Sequence, residues 1–277
     1  MWKRKLNEHA LEGRIRHELK YEVPMEVADR FFQDCLPFCN WDPYAGETKM
    51  YEIASVYYDT PNFIFYRDRE ESVGYRRKIR LRSYNTDGKS IALFIEIKEK
   101  HKQFVNKKRI NMKNPRIIDN CPYPHHRIPL SYVIENLEDS AEKREIVYLN
   151  KRYELIPTTI IRYFRKALIP TFEDDMRITL DTNITAGGHT LDKQDPEHEK
   201  SILAPDFGVL EVKTNRSIPL WLNAIMQKHQ LSQVRYSKYC LGVDYDIKGK
   251  SYWFKGCSTI HPIQAEESVS TRMSGNI

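Results

Sequence analysis

The chain is expected to be an α+β protein: strands carrying charge on one face and apolar residues on the other, with helices between them. Three features of the sequence point there. Charged residues recur two apart in segment after segment: Glu18 and Lys20, Arg80 and Arg82, Glu96 and Lys98, Lys107 and Arg109, Arg177 and Thr179, Glu211 and Lys213. Residues two apart in a strand share a face. The alternating positions are apolar, as with Ile79 and Leu81 around Arg80, Ile95 and Ile97 around Glu96, and Leu210 and Val212 around Glu211. Between these segments lie stretches with helical spacing.

In chain order, residues 14–23 alternate and predict a strand. Pro24 to Phe38 predicts a helix, with Val27, Phe31 and Phe32 at helical spacing, and a turn comes next at Asp42-Pro43-Tyr44. Tyr51 to Asp59 predicts a strand that ends at Thr60-Pro61; Asp59 is expected to cap the segment after it. A short helix over 63–71 leads to an alternating strand at 76–84. Asp87-Gly88 is a hairpin signal, because both residues tolerate positive φ. Strands are expected at 91–100 and 103–112, and an irregular Pro-rich stretch at 115–129. Residues 131–153 predict one helix. Further strands are expected at 158–168, 176–182 and 208–214, with a polar loop at 185–206, then a helix over 219–231. Residues 1–250 are expected to form a single domain, and the polar tail 251–277 to be disordered.

With 277 residues and 40% hydrophobic content, the chain is long enough to bury a core. Its net charge of +6 favours an acidic partner without choosing among nucleotide, nucleic acid and anionic lipid. The five cysteines, Cys35, Cys39, Cys121, Cys240 and Cys257, form no disulfide or zinc pattern. His125 and His126 sit in the Pro-rich stretch and are expected at the surface. Residues 1–11 lack the apolar core of a signal peptide, and no stretch approaches the ~18 apolar residues of a membrane span. A cytoplasmic setting is therefore expected. The basic run 100–113 holds Phe104 as its one aromatic, a poor match to the interleaved aromatics of a nucleic-acid surface, so no nucleic-acid partner is expected.

Taken alone, each strand suits an ordinary sheet with its charges in water. Together they do not. Arg80, Arg82, Lys98, Lys107 and Arg109 come from three successive strands, where side chains on one face lie about 5 Å apart. Like charges that close repel unless an anion sits among them. The alternative is a barrel with its polar face inside and its apolar face covered by helices, holding a polyanion and a cation.

Nine segments carry a family resemblance. In order they are Glu18-Leu19-Lys20, Tyr57-Tyr58-Asp59-Thr60, Arg80-Leu81-Arg82, Phe94-Ile95-Glu96-Ile97-Lys98, Lys107-Lys108-Arg109, Arg162-Tyr163-Phe164-Arg165, Arg177-Ile178-Thr179-Leu180-Asp181, Leu210-Glu211-Val212-Lys213 and Ser237-Lys238-Tyr239. Each is weak alone; the ordered set, over about residues 14–245, resembles the catalytic domain of the vacuolar transporter chaperone (VTC) within the triphosphate tunnel metalloenzymes. The resemblance implies a closed, antiparallel eight-stranded barrel with flanking helices. It also implies synthesis of polyphosphate from the terminal phosphate of ATP with Mn²⁺ or Mg²⁺. Carried over by motif, Lys20, Arg80, Arg82, Lys98, Lys107, Arg165 and Lys238 would be the catalytic, phosphate-binding set. Tyr163, Ser237, Arg109 and Arg177 would support it. Glu211 would bind the metal, with Glu96 a weaker second ligand.

Each of these residues also has an ordinary structural role open to it. Lys238 could be a solvated lysine, Tyr163 plain core packing, and Arg177 with Asp181 a structural ion pair. Two departures stand out. Lys100 occupies a position held by His in the family's fungal polymerases. Arg16 removes the first Glu of the wider superfamily's Glu-x-Glu-x-Lys form, which weighs against a thiamine triphosphatase or an adenylate cyclase. No Gly-rich P-loop is present. ATP and polyphosphate are the expected partners, and export of polymer across a membrane would fall to a separate membrane protein. A metal-dependent triphosphatase and a non-catalytic polyanion-binding module remain the alternatives.

Overall fold

A computed structural model describes residues 17–86, 89–101, 104–112, 114, 116–118, 121–123, 127–173, 175–188 and 199–248. Arg16, the Asp87-Gly88 turn, His125, His126, the middle of the 185–206 loop and the tail 251–277 lie outside them.

The strands are β1 (His17–Pro24), β2 (Cys39–Trp41), β3 (Tyr51–Asp59), β4 (Tyr75–Thr86), β5 (Lys89–His101), β6 (Phe104–Asn111), β7 (Ile156–Pro170), β8 (Arg177–Gly188), β9 (Lys200–Ser201) and β10 (Phe207–Thr214). The helices are α1 (Met25–Cys35), α2 (Ile64–Glu70), α3 (Leu130–Glu135), α4 (Ala141–Tyr153), α5 (Leu220–Lys228) and α6 (Lys238–Lys248). Eight strands form one antiparallel sheet in the order β1-β10-β8-β7-β3-β4-β5-β6, with β2 on β7 and β9 on β8.

The sheet is strongly curled. Side chains meet across intervening strands: Arg165 of β7 lies 3.9 Å from Glu211 of β10, and Arg82 of β4 donates to the Tyr163 hydroxyl of β7. Even β1 and β5 meet, through Glu18 and Lys98 at 2.9 Å. A flat sheet cannot make these contacts. The closed barrel that the resemblance implies is met only in part. Among the described residues β1 and β6 do not pair with each other, and the architecture is a curled half-barrel. The free edge of β1 is taken by the segment leading into α6: Val234 N–H donates to Lys20 O at 2.8 Å, and Tyr21 bridges Gln233.

The two faces divide as the alternation requires. The convex face is mainly apolar under helices, with charges such as Arg77, Glu99, Lys108 and Arg162 paired on it. Ile79, Leu81, Leu93, Ile95 and Ile97 pack with residues of α3 and α4, including Leu130, Val133, Ile146 and Leu149. Tyr21, Ile178, Leu180, Leu210 and Val212 pack with Phe31 and Phe32 of α1 and Leu222 and Ile225 of α5. The concave face carries the charges, except where α6 fills one part of it with Tyr239, Cys240 and Val243 against Tyr57, Ile161 and Ile184. Gly242 permits that approach, since a Cβ there would lie 2.6 Å from Ile161 Cδ1.

Local chemistry explains the element boundaries. Pro24, Pro129 and Pro219 each stand immediately before a helix in extended geometry, their φ held by the ring. Asp59 caps α2 as expected: its carboxylate accepts from Thr60 N, Phe65 N and Tyr66 N at 2.7–2.9 Å, and also from the Tyr239 hydroxyl. The single helix expected over 131–153 is two. Asn136 ends α3, its Nδ2 donating to Tyr132 O at 2.8 Å, and Ser140 caps α4 by accepting from Lys143 N at 3.0 Å. These short polar side chains compete for backbone groups and favour caps over helix interiors. β8 runs into the expected 185–206 loop because Ile184 and Ala186 are buried there. Helix α6 and the short strand β2 were not expected from the sequence.

Truncation of the convex core should be costly. Ile97→Ala removes a side chain that is 1% exposed and should destabilise the fold by about 2–5 kcal/mol. A lower urea midpoint at unchanged slope would show it.

Candidate functional site

Two clusters of charge occupy the concave face. The first is built around Glu96, which β5 presents inward with 1% exposure. Arg80 grips Oε2 through Nε and Nη2 at 2.8 and 2.6 Å. Arg109 grips Oε1 through Nε and Nη2 at 2.8 and 2.6 Å, and Lys107 Nζ reaches the same oxygen at 2.7 Å. Arg82 Nη1 stands 3.9 Å away, its other nitrogens donating to Ser55 Oγ and the Tyr163 hydroxyl. Burial opposes the Glu96 charge, but these cations outweigh it and hold the carboxyl well below the usual range. The cluster remains net positive, one carboxylate against four cations. Burial pushes the Lys107 ammonium down to about 8 even beside Glu96. Tyr57, whose hydroxyl accepts from Arg80 Nη1 at 3.0 Å, is held up by burial but brought to about 8 by Arg80, Arg82 and Lys78.

The second cluster is built on β1, β7, β8, β10 and the start of α6. Asp181, fully buried, accepts both arms of Arg165 at 2.6 and 2.8 Å and Lys238 Nζ at 2.6 Å. Burial works against its charge, yet Arg165 and Lys238 keep it at about 2. Glu211 accepts from Lys213 Nζ at 2.6 Å and has Lys20 Nζ at 3.6 Å. It too is opposed by burial and held well below the carboxylate range by Lys213 and Lys20. Glu18 completes the group, with Lys98 at 2.9 Å, Lys213 at 3.8 Å and Lys20 at 3.9 Å. Lys20 also donates to Tyr236 O at 3.1 Å.

Tyr163 joins the clusters. Its hydroxyl accepts from Arg82, while Lys238 and Arg165 lie over its ring at 4.8 and 5.3 Å. It is therefore more than core packing, and Lys238 is no solvated surface lysine. Ser237 accepts from Lys78 Nζ at 2.9 Å, and burial takes Lys78 down to about 8. Of the residues singled out from sequence, Arg177 alone stands aside. It pairs with Asp42 and donates to the Tyr51 hydroxyl at 2.8 Å, so Asp181 is not its partner. Sequence reasoning assigned no role to Glu18, Tyr57, Lys78 or Lys213, and left Asp181 a structural one. Their signal was present, since Lys78 continues the Arg80–Arg82 alternation and Lys213 stands two residues after Glu211.

A divalent cation of the Mg²⁺ type needs hard oxygen donors, and one or two carboxylates plus substrate phosphates suffice. Among the described residues no group of three or more His, Cys, Asp or Glu forms a ready-made cage. Glu211, with Glu18 in contact, fits the sparser arrangement. Glu96 does not, because guanidinium and ammonium groups occupy both its oxygens. Among the described cysteines, Cys35, Cys39 and Cys240 are buried free thiols, and burial pushes Cys39 up to about 12.

The family profile of the VTC domain matches residues 15–245. The chain belongs to the VTC domain family. The curated relative Vacuolar transporter chaperone complex subunit 4 of Trypanosoma cruzi is 25% identical over 262 residues, covering 81% of this chain. The chain spans only 32% of that relative's length. Among solved structures, a Hippeastrum adenylyl cyclase candidate described as having a dominant triphosphatase activity has 14% identity and TM-score 0.48, covering 81% of this chain and 93% of its own. An adenylate cyclase candidate from Bacillus halodurans has 12% identity and TM-score 0.47, covering 81% and 94%. At these values the likenesses carry no weight for activity, and the properties of this VTC domain are drawn from its own residues. Among the described residues no helix is long and apolar enough to cross a membrane.

Lys78, Lys107 and Lys213 all stand at about 8. Deprotonation removes positive charge, and ionisation of Tyr57 at about 8 adds negative charge, so affinity for tripolyphosphate should fall as pH rises through 8. Titration calorimetry between pH 6.5 and 9.5 would show it; an affinity flat to pH 9.5 would contradict the assignment. Glu22 provides a second pH effect. Both its carboxylate oxygens are buried without a hydrogen-bond partner, and burial raises it to about 7. The folded state then holds a proton that the unfolded state has lost between about 4.5 and 7, so this contribution to stability declines as pH rises through that window. After discounting for partial exposure, Glu22→Gln should stabilise the fold at pH 8 by about 1–2 kcal/mol and leave pH 4 stability nearly unchanged.

Proposed function

We propose that this VTC domain is a polyphosphate polymerase that uses ATP as phosphate donor. The observation that supports this best is the concave face itself: two net-basic clusters, linked through Tyr163, beside the Glu18–Glu211 carboxylates. Phosphoryl transfer proceeds through a loose transition state with charge spread over non-bridging oxygens, so positioning and neutralising that charge is most of the catalysis. Arg80, Arg82 and Arg165 offer planar forks that match phosphate oxygens, and Lys20, Lys98, Lys107 and Lys238 supply point charges. In the resting state Glu96, Asp181 and Glu211 occupy these cations; an entering polyphosphate competes for the same donors. A terminal oxygen of the growing chain attacks the γ-phosphorus of ATP, the bond to the β,γ-bridging oxygen breaks, and ADP leaves with that electron pair. Mn²⁺ or Mg²⁺ at Glu211 and Glu18 would supply charge neutralisation at the phosphate oxygens.

A further feature favours a polymer over a single phosphate. At the end of the face near α2 and α6, Arg76 is affected first by burial and then by Arg69 and Arg235, and Lys100 by burial and then by Arg76; both are lowered. Arg76 Nε is buried without a partner, and among the described residues no carboxylate forms an ion pair with these four. A basic end left uncompensated can hold a chain that extends beyond the transfer site.

The test incubates pure protein with ATP and Mn²⁺ and resolves products on a polyphosphate-staining gel. A ladder lost in Glu211→Ala is expected. Arg76→Glu with Lys100→Glu should shorten the ladder, and unchanged chain length would remove the role given to that end. Metal-dependent release of phosphate without a ladder would instead establish a triphosphatase, in which water replaces the chain as attacking group. Binding without either product would leave a polyanion-binding module.

A further inference from the structure

The opposite end of the concave face is of different character. There the inward residues of β3, β4 and β5 are aromatic: Tyr51, Tyr84 and Phe94. Tyr51 and Tyr84 lie 6.1 Å apart between ring centroids, and Tyr84 meets Phe94 edge to face at 5.9 Å. Tyr51 is buried, but Tyr84 and Phe94 keep part of their surface open, unlike the other inward aromatics Tyr57 and Tyr163. The end is continuous with the Glu96 cluster, because Arg109, which grips Glu96, also lies over the Phe94 ring at 4.4 Å. Polar groups stand beside the rings. Asp42 is held there by Arg177 and Tyr51, and Arg177 Nε is buried with no hydrogen-bond partner. Tyr44, 72% exposed, lies alongside, its carbonyl accepting from Thr86 Oγ1 at 3.2 Å.

An inorganic phosphate chain has no use for aromatic surface, and toward α6 the inward rings Tyr57 and Tyr239 are buried against each other. We infer that the Tyr84–Phe94 end is a nucleoside subsite: it stacks the base of the nucleoside triphosphate donor while the phosphates extend along Arg109, Arg80 and Arg82. The inference rests on the polymerase reading and adds to it the donor's orientation. The base lies at the aromatic end, and the terminal phosphate points toward the Glu211 cluster and the basic end. Every base has a π face, so stacking tolerates adenine and guanine alike. Asp42, buried and held by Arg177, Tyr51 and the Tyr44 N–H, fixes the rings from behind and does not itself meet the base.

The experiment compares ATP with tripolyphosphate, which carries the same phosphate run without a base. Dissociation constants would be measured by titration calorimetry for the wild type, Tyr84→Leu, Phe94→Leu and the double variant, with melting curves confirming folding. Loss of base stacking should weaken ATP about 5- to 100-fold and leave tripolyphosphate within about twofold. If ATP is unchanged, or if both ligands weaken together in folded variants, the nucleoside subsite is overturned while the phosphate site stands. If the wild type binds neither ligand, the tunnel reading falls and this inference falls with it. Phe94→Tyr keeps the ring, so recovery of ATP affinity in that variant is expected; no recovery would count against stacking.

Discussion

The structure depends on how crowded positive charge is tolerated on the inside of a curled sheet. Adjacent strands place Arg80, Arg82, Lys107 and Arg109 close enough to repel, the first two largely withdrawn from solvent and the other two partly open to it. Glu96 makes the arrangement possible, gripped by two arginines and a lysine with Arg82 behind. Removing one partner of such a set leaves uncompensated buried charge, which costs far more than the pair contributes. Asp181 and Glu211 play the same part on the other side. The compensation is incomplete in sign: cations exceed carboxylates, which leaves the face net positive.

Everything outside that face serves to support the inversion. A sheet with its polar side inward must bury its apolar side elsewhere, and α1, α3, α4 and α5 provide the cover. Asp59 ties the coverage to the site. The same carboxylate caps α2 and accepts from Tyr239, the residue after Lys238, so one buried acid sets both a helix start and the seat of α6. Tyr239 in turn stacks on Tyr57 at 4.9 Å, and Tyr57 holds Arg80. Packing and site are thus one network, and loss of solvent within it brings Lys78 and Lys213 down to about 8.

The two ends of the concave face differ in kind. One is basic and uncompensated, the other aromatic with a single held carboxylate. A symmetric phosphate channel would not need that difference; a site with a nucleotide donor at one end and a chain at the other would.

Period-two charge alternation was readable residue by residue, so the strands and nearly all the inward charges were legible in the sequence alone. So were the Asp59 cap and the ordered motifs of the family. Strand periodicity states which residues share a face, but not which face is wet. That was decided by curvature and by helices packing on the apolar side. The sequence ranked Glu211 above Glu96 as a metal ligand only through the family resemblance, since both are acids in identical Glu-x-Lys settings. Only the fold places two arginines and a lysine on Glu96, through the register of the successive strands β4, β5 and β6, and leaves Glu18 beside Glu211, which come from strands distant in the chain. The helix at Lys238–Lys248 and the cover on the edge of β1 were tertiary outcomes too, whereas the break at Asn136–Ser140 follows from local capping. The edge of β1 found its partner in residues 233–234, and α6 became helical by packing Tyr239 and Val243 into the half-barrel, with Gly242 allowing the close approach.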